Sequence, residues 1–594
     1  MSTHSPCRQH PPPATMKLHS TLSAAAALLG AATPTLAISS RVRLPYATYH
    51  GVQLGKGITQ WLGMRYAAPP TGARRFRPPE EPLEETEELS AAAYGDRCLV
   101  TGSAAGAAGH SEDCLFINVY APNETRTTGP FLPVLVWLGG DGYANAQTDA
   151  DINATGLLQA NDGNFVVVTF NHRLGPYGFL ASGHTLGTNN GLRDQVRALE
   201  WVRRFIRRFG GDPEQVTLGG SGIAAQYVMA HLIMHKDDSP HFNAVIAESP
   251  SFAPMRDLDE AATEYHRFAQ QLGCERNSSS RSHNATAAAA SLAARLAIGD
   301  DAKTLACLLA LDADAIQEAS RQLALSTVHA APWDRWVPVI DHDLVSKTTS
   351  QSLAAGHFAR VPFLFGSTVA APGTAFAYRN RSSTDSVTSF MHDLYPFLQA
   401  ADLAEMEALY TTSACGGGGG DPACFQNILA RIDQDLRYTC PTLAAVGRLR
   451  DGGVKDAYLY SWDVDGADDT DGDLGAHQNT EAAALWGGTA AAAAVPNSYR
   501  RGGANEAVPL VKQRYWANFV RSHNPNRAHK KAKGGKNEVK VGERVVGLAK
   551  WGSWSPGKRT RLVLGNGGVT GEKSTAHLRF SCTFFDRMAP RMRV

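Results

Sequence analysis

Past residue 37 the chain has no run of about eighteen or more apolar residues, the length that a membrane-spanning helix needs. Nor does one sign of charge prevail: 57 basic side chains stand against 56 acidic ones, for a formal charge of +1. That balance sets up no field to draw nucleic acid or an anionic membrane, and it leaves a small molecule or a neutral partner as the expected ligand. No CxxC spacing accompanies the cysteines, so structural disulfides outrank metal binding, and neither a metal nor a cofactor is expected. Internal repeats are absent as well. What is present is ordinary globular composition, 43% hydrophobic and 19% charged over 594 residues, enough to bury a large core.

The one pronounced apolar stretch lies at the start. From Met16 the run MKLHSTLSAAAALLGAATPTLA has a basic residue at Lys17, an apolar middle and a small residue at Ala37, the order of a secretory signal. Residues 1–15, with Pro11, Pro12 and Pro13, do not read as the beginning of a signal, so translation is expected from Met16. The reading is therefore an extension at 1–15, a signal at 16–37 and one domain at 38–594, in a secreted protein with no lipid-anchor tail. Sequons at Asn123, Asn153, Asn277, Asn284 and Asn380 fit glycosylation in that pathway. Cys7 lies before the proposed cut and leaves eight: Cys98, Cys114, Cys274, Cys307, Cys415, Cys424, Cys440 and Cys582. Eight cysteines allow about 105 pairings. Spacing suggests local loops for Cys98 with Cys114, Cys274 with Cys307 and Cys415 with Cys424, with Cys440 and Cys582 left over.

Apolar β-rich runs at Phe131–Trp137 and Asn164–Phe170 read as buried strands. Residues 191–209 place Leu192, Val196, Leu199, Val202, Phe205 and Ile206 at helical spacing, with arginines opposite, which predicts an amphipathic helix over a sheet. Gly210-Gly211-Asp212-Pro213 ends it, and Val216-Thr217-Leu218 begins a short strand that runs into glycines and then an apolar helix. Strand, tight turn and helix is the local architecture of a nucleophile elbow. Gly416–Gly420, the alanines at 490–494 and the basic stretch Arg527–Lys540 read as surface loops.

Several segments together resemble the cholinesterase-like, type-B carboxylesterase and lipase family, in a fungal-type secreted form. They are Glu112-Asp-Cys-Leu-Phe-Ile-Asn-Val119, Asn171-His-Arg-Leu-Gly-Pro-Tyr-Gly-Phe-Leu180, Asn190-Gly-Leu-Arg-Asp-Gln195 with Ala198-Leu-Glu-Trp201, Phe209-Gly-Gly-Asp-Pro213, and Trp516-Ala-Asn-Phe519 with Asn524-Pro-Asn526. The resemblance spans nearly the whole mature chain. It implies an α/β-hydrolase fold: a central, mostly parallel β-sheet flanked by helices in a single large domain.

The same resemblance implies a serine activated by a histidine, a carboxylate to orient that histidine, and backbone donors for the oxyanion. Here those places are substituted. The nucleophile's place falls on Gly222, with Ser221 one residue early; the acid's place falls on Pro372, with no carboxylate between Val361 and Phe376; the base's place falls on Gln478, with His477 one residue early. In the oxyanion segment, Gly139 replaces a histidine and Asp141 a glycine, between Gly140 and Gly142. A carboxylate there would repel developing negative charge.

Three readings follow. A shifted Ser221/His477 dyad would still hydrolyse carboxylic esters. A non-hydrolytic biosynthetic enzyme, of isomerase or cyclase type, would use Asp141, His477 or His172 for proton transfer. The favoured reading is a pseudoenzyme that binds an apolar or ester-like small molecule, or a protein partner, as adhesion relatives of the family do.

Overall fold

The computed structural model describes residues 39–594 apart from positions 56, 396 and 477 and the segments 101–105, 124–129, 140–151, 183–185, 235–240, 276–300, 327–334, 370–390, 392–394, 415–421, 466–475, 488–494 and 528–536. The extension at 1–15, the signal at 16–37, Gly140, Asp141, Gly142, Asn277, Asn284, Pro372, Asn380, Cys415 and His477 lie outside the described residues.

Eleven strands make the main sheet: β1 (Val52–Leu54), β2 (Ile58–Arg65), β3 (Phe116–Pro122), β4 (Leu132–Leu138), β5 (Val166–Phe170), β6 (Gly211–Ser221), β7 (Ala244–Glu248), β8 (Phe363–Thr368), β9 (Ala457–Asp463), β10 (Thr560–Gly565) and β11 (Gly568–Lys573). Their spatial order is β1-β2-β3-β5-β4-β6-β7-β8-β9-β10-β11. From β5 through β10 every neighbouring pair is parallel, while both ends of the sheet are antiparallel. A parallel strand covered on both faces reads as continuously apolar, which is why VVVTF in β5 and AVIAE in β7 are buried throughout.

The helices that matter here are α1 (Asn190–Phe205), α2 (Ile223–Met234), α3 (Cys440–Asp451), α4 (Gln478–Trp486), α5 (Ala507–Ser522) and α6 (Ala576–Met592). Alternate residues of β4 feed two cores. Val134, Val136 and Leu138 pack into the one that includes α1, α2, α3 and α6, whereas Leu135 and Trp137 pack into the one that includes α4 and α5. Among the described residues no helix is long and apolar enough to cross a membrane.

The predicted amphipathic helix is α1, extended by a 3-10 turn over Ile206–Phe209 and stopped at Gly210, whose φ of 79° suits glycine. Its burial departs from the apolar pattern. Val196 is only half-buried, while Asp194 and Gln195 have no exposure, because each has a fixed partner inside. Arg173 grips Asp194 with Nε and Nη2 at 2.8 and 2.7 Å, and Gln195 Oε1 lies 3.0 Å from the His231 ring.

Two further motif residues work in the same way. Glu112 binds Arg75 through two contacts of 2.6 Å, and Asp113 binds Arg65 at 2.6 and 2.8 Å. Cys98–Cys114 and Cys274–Cys307 are joined as their spacing suggested, and the two left over, Cys440 and Cys582, are joined as well, stapling α3 to α6 across 142 residues of sequence. One expectation is corrected. The basic stretch Arg527–Lys540 is not loop to its end, since Glu538–Val541 pairs with Arg544–Gly547 and buries Val539 and Val541 against the second core.

Replacing Asp194 with alanine strands a buried guanidinium, so Asp194→Ala is expected to lower unfolding stability by about 3–5 kcal/mol. The denaturant midpoint measures it. A change under about 0.5 kcal/mol would mean that the pair contributes nothing net to this fold.

Candidate functional site

The chain leaves β4 toward one edge of the sheet and returns on β6 at the other side of β4. Strand order reverses there, and in open α/β sheets such a reversal opens a crevice at the carboxyl ends of the strands. Gly139, buried, follows β4 at that edge, and Ser221 ends β6 beside it.

Between the end of β6 at Ser221 and the start of α2 at Ile223 stands one residue, Gly222, with φ at +61°. That conformation strains any side chain with a Cβ. The turn is pinned from three directions. The Gly222 amide donates to the Glu248 carbonyl at 2.8 Å, and its own carbonyl accepts from Gln226 at 3.2 Å and Ser251 at 3.1 Å. Helix α2 packs so closely on the strand that a Cβ at Gly220 would lie 2.7 Å from the Ala224 carbonyl carbon. This is an elbow in backbone terms, with a glycine at its apex.

Ser221 sits on the strand, opposite Glu248 of β7, and is half-buried. Its offset from residue 222 is therefore not the 100° step of a helix. It is the alternation of a strand running into a turn. Strand β8 leads toward the acid's place but Pro372 is outside the described residues, as is His477, while Gln478, at the base's place, is the first residue of α4. Gly139 is the only described member of the oxyanion segment.

His172, considered for proton transfer, follows β5. It is 4% exposed, its ring meets Tyr227 edge to face at 5.1 Å, and Nε2 has no hydrogen-bond partner among the described residues. Burial alone pushes its pKa down to about 3, so the ring is neutral at physiological pH. No group of three or more His, Cys, Asp or Glu among the described residues is arranged to hold a metal.

Behind the elbow lies a group of charges that the sequence reading did not single out. Glu248 at the end of β7, Glu481 in α4 and Lys512 in α5 are all fully buried. Lys512 Nζ lies 3.1 Å from a Glu248 oxygen, 3.4 Å from a Glu481 oxygen and 2.9 Å from the Glu481 carbonyl. Its ammonium also stands 5.0 Å from the ring centres of both Trp462 and Trp516. Tyr460 donates to Glu481 at 2.5 Å. Burial raises the Glu248 carboxyl to about 8; Lys512 opposes that rise and Glu481 adds to it. The signal in the sequence was Glu248 closing the apolar run AVIAE and Lys512 directly after the apolar stretch VPLV.

A central parallel sheet with reversed strand order, a one-residue elbow after its sixth strand and helices on both faces define an α/β-hydrolase. The chain belongs to the carboxylesterase family, whose model matches residues 39–540. It is similar to Aspergillus niger EstA in structure, with a TM-score of 0.77 and 30% identity over 93% of this chain and 99% of that one. Para-nitrobenzyl esterase of Bacillus subtilis is 37% identical over 240 residues, 39% of this chain and 48% of the relative. Mouse neuroligin-2 is 25% identical over 534 residues, 79% of this chain and 58% of its own length. Bovine thyroglobulin is 28% identical over 431 residues, 70% of this chain and 14% of its own. The chain thus spans between 14% and 58% of these three curated relatives.

Because His172 is held neutral, the folded state refuses a proton that the unfolded state accepts below its ordinary pKa of about 6.5. Stability due to this group is full above pH 6.5 and is lost as pH falls toward 3. His172→Phe is expected to flatten the decline of melting temperature over that range, read by calorimetry from pH 7 to 4. An identical decline in wild type and variant would show that the ring takes up its proton without unfolding.

Proposed function

We propose that this carboxylesterase-family chain does not hydrolyse esters and instead binds, through the family pocket, an apolar or ester-like small molecule or a protein partner. One observation carries this reading: the apex of the elbow, where the fold would present a nucleophile, is Gly222. Ser221, on the strand, does not occupy that apex. Pro372 and Gln478 at the acid and base places support the same conclusion, since a proline has no side-chain acceptor to orient an imidazole and a glutamine amide cannot act as the base. Asp141 in the oxyanion segment adds a charge of the wrong sign.

A biosynthetic, non-hydrolytic enzyme using Asp141 or His477 is the second reading. Both residues lie outside the described ones, so it draws no support from geometry. The secretory reading rests on the 16–37 signal and is supported by the three joined disulfides, which persist in oxidising compartments. Of the sequons, Asn153 is exposed and Asn123 half-buried, and the other three are outside the described residues.

The test is hydrolysis of a short-chain nitrophenyl ester by purified secreted protein beside Ser221→Ala and Gly222→Ser. Loss of a triad unit costs on the order of 10⁶ in turnover. Wild type and Ser221→Ala are therefore expected at the same background rate, and Gly222→Ser is expected to gain nothing without a base and an acid. Wild-type turnover that Ser221→Ala abolishes would overturn the proposal.

A further inference from the structure

The buried charges behind the elbow link several of the elements that reach the site. Glu248 gives its carbonyl to the amide of Gly222. The next residue, Ser249, accepts the amide of Thr368, the last residue of β8, on its Oγ at 3.1 Å and reaches Glu481 at 3.4 Å. Glu481 itself belongs to α4, the helix that begins at Gln478, and Lys512 joins Glu248 to Glu481 from α5. One cluster thus connects β6, β7, β8, β9 and two helices, with Tyr460 as the contribution of β9.

Its charge count does not balance. Two carboxylates and one ammonium, all without exposure, leave one net negative charge in the core if both acids ionise. The ammonium has its reach taken up by three oxygens, and besides it only the neutral Trp516 side chain donates to the Glu248 carboxyl among the described residues. A single proton shared by the two carboxyls removes the imbalance. Among the described residues, the titratable groups facing Glu248 are Lys512, Glu481 and Tyr460, so no second cation is at hand to do so.

We propose that Glu248, Glu481 and Lys512 form a clamp that fixes the ends of β6 and β8 to helix α4 only while one carboxyl of the pair keeps its proton, so that the elbow loosens as the solution turns alkaline. The proton goes to solvent when the clamp opens; no bond other than O–H breaks. The rise of the Glu248 carboxyl from 4.5 to about 8 agrees with this geometry. Since the folded state holds a proton that the unfolded or opened state releases near 4.5, stability falls as pH climbs from there through 8 and levels off above it. The clamp is independent of the ester chemistry argued above. Ester turnover bears only on that reading, and the proton content of the cluster bears only on this one.

Three measurements test it on the full chain. Infrared spectra of the wild type at neutral pH should show the C=O stretch of a buried protonated carboxylic acid, absent from Glu248→Gln. Amide exchange at Gly222 and Thr368, corrected for intrinsic rates, should reveal opening that grows by up to about tenfold per pH unit between about pH 6 and 8 and then levels off. In Glu248→Gln, where Lys512 and Glu481 balance without a proton, that opening and the melting temperature should be flat over the same range. A wild type with no protonated-acid band, or a variant that keeps the wild-type slope, would overturn the clamp.

Discussion

Everything around the site depends on a chain reversal confined to Gly222. An eleven-residue strand and a twelve-residue helix meet across this one residue at positive φ. The helix can come that close only because Gly220 offers no Cβ to the Ala224 carbonyl. The reversal in turn needs a carbonyl for its amide, which β7 supplies from Glu248. A conformation that costs of order 1–3 kcal/mol in other residues is thus maintained by three hydrogen bonds and close packing. A strand–turn–helix elbow is thereby held around a glycine.

The residues that match the family's motifs have work unrelated to hydrolysis. Glu112 and Asp113 tie their segment to Arg75 and Arg65, Cys114 closes a disulfide, and Arg173 joins one motif to Asp194 of the next. These are buried or half-buried ion pairs with paired contacts, the kind whose disruption leaves an unpaired charge. Architecture and chemistry therefore reside in different residues, and one can be kept while the other is replaced.

Much of this was legible in the sequence, for identifiable reasons. Parallel strands such as β5 announce themselves as unbroken apolar runs, the α1 stripe by its spacing, and the elbow by glycines between a strand and an apolar helix. Two disulfides followed from spacing, and a third joins the two cysteines that spacing left over. What periodicity concealed were polar residues that burial makes necessary partners. Asp194 and Gln195 fall beside the apolar stripe, not on it, and only Arg173 and His231, distant in sequence, explain them. The Lys512 cluster stayed hidden for the same reason, because Glu248 lies more than two hundred residues before Glu481 and Lys512, and the three come from one strand and two helices. That His172 is buried, with its pKa lowered by that burial, could not be read from its sequence neighbours either.

The sheet's two ends differ from its middle in a way that affects more than one copy of the chain. On one side it stops at β1, a three-residue strand; on the other at β11, GVTGEK, with two glycines, a glutamate that binds Arg561 and a terminal lysine, and with no fully buried residue. Unpaired amides and carbonyls along a strand invite any other chain to dock by extending the ladder, and shortness, glycine and charge discourage it. A protein crowded among identical neighbours thus keeps a wide sheet from templating its own aggregation.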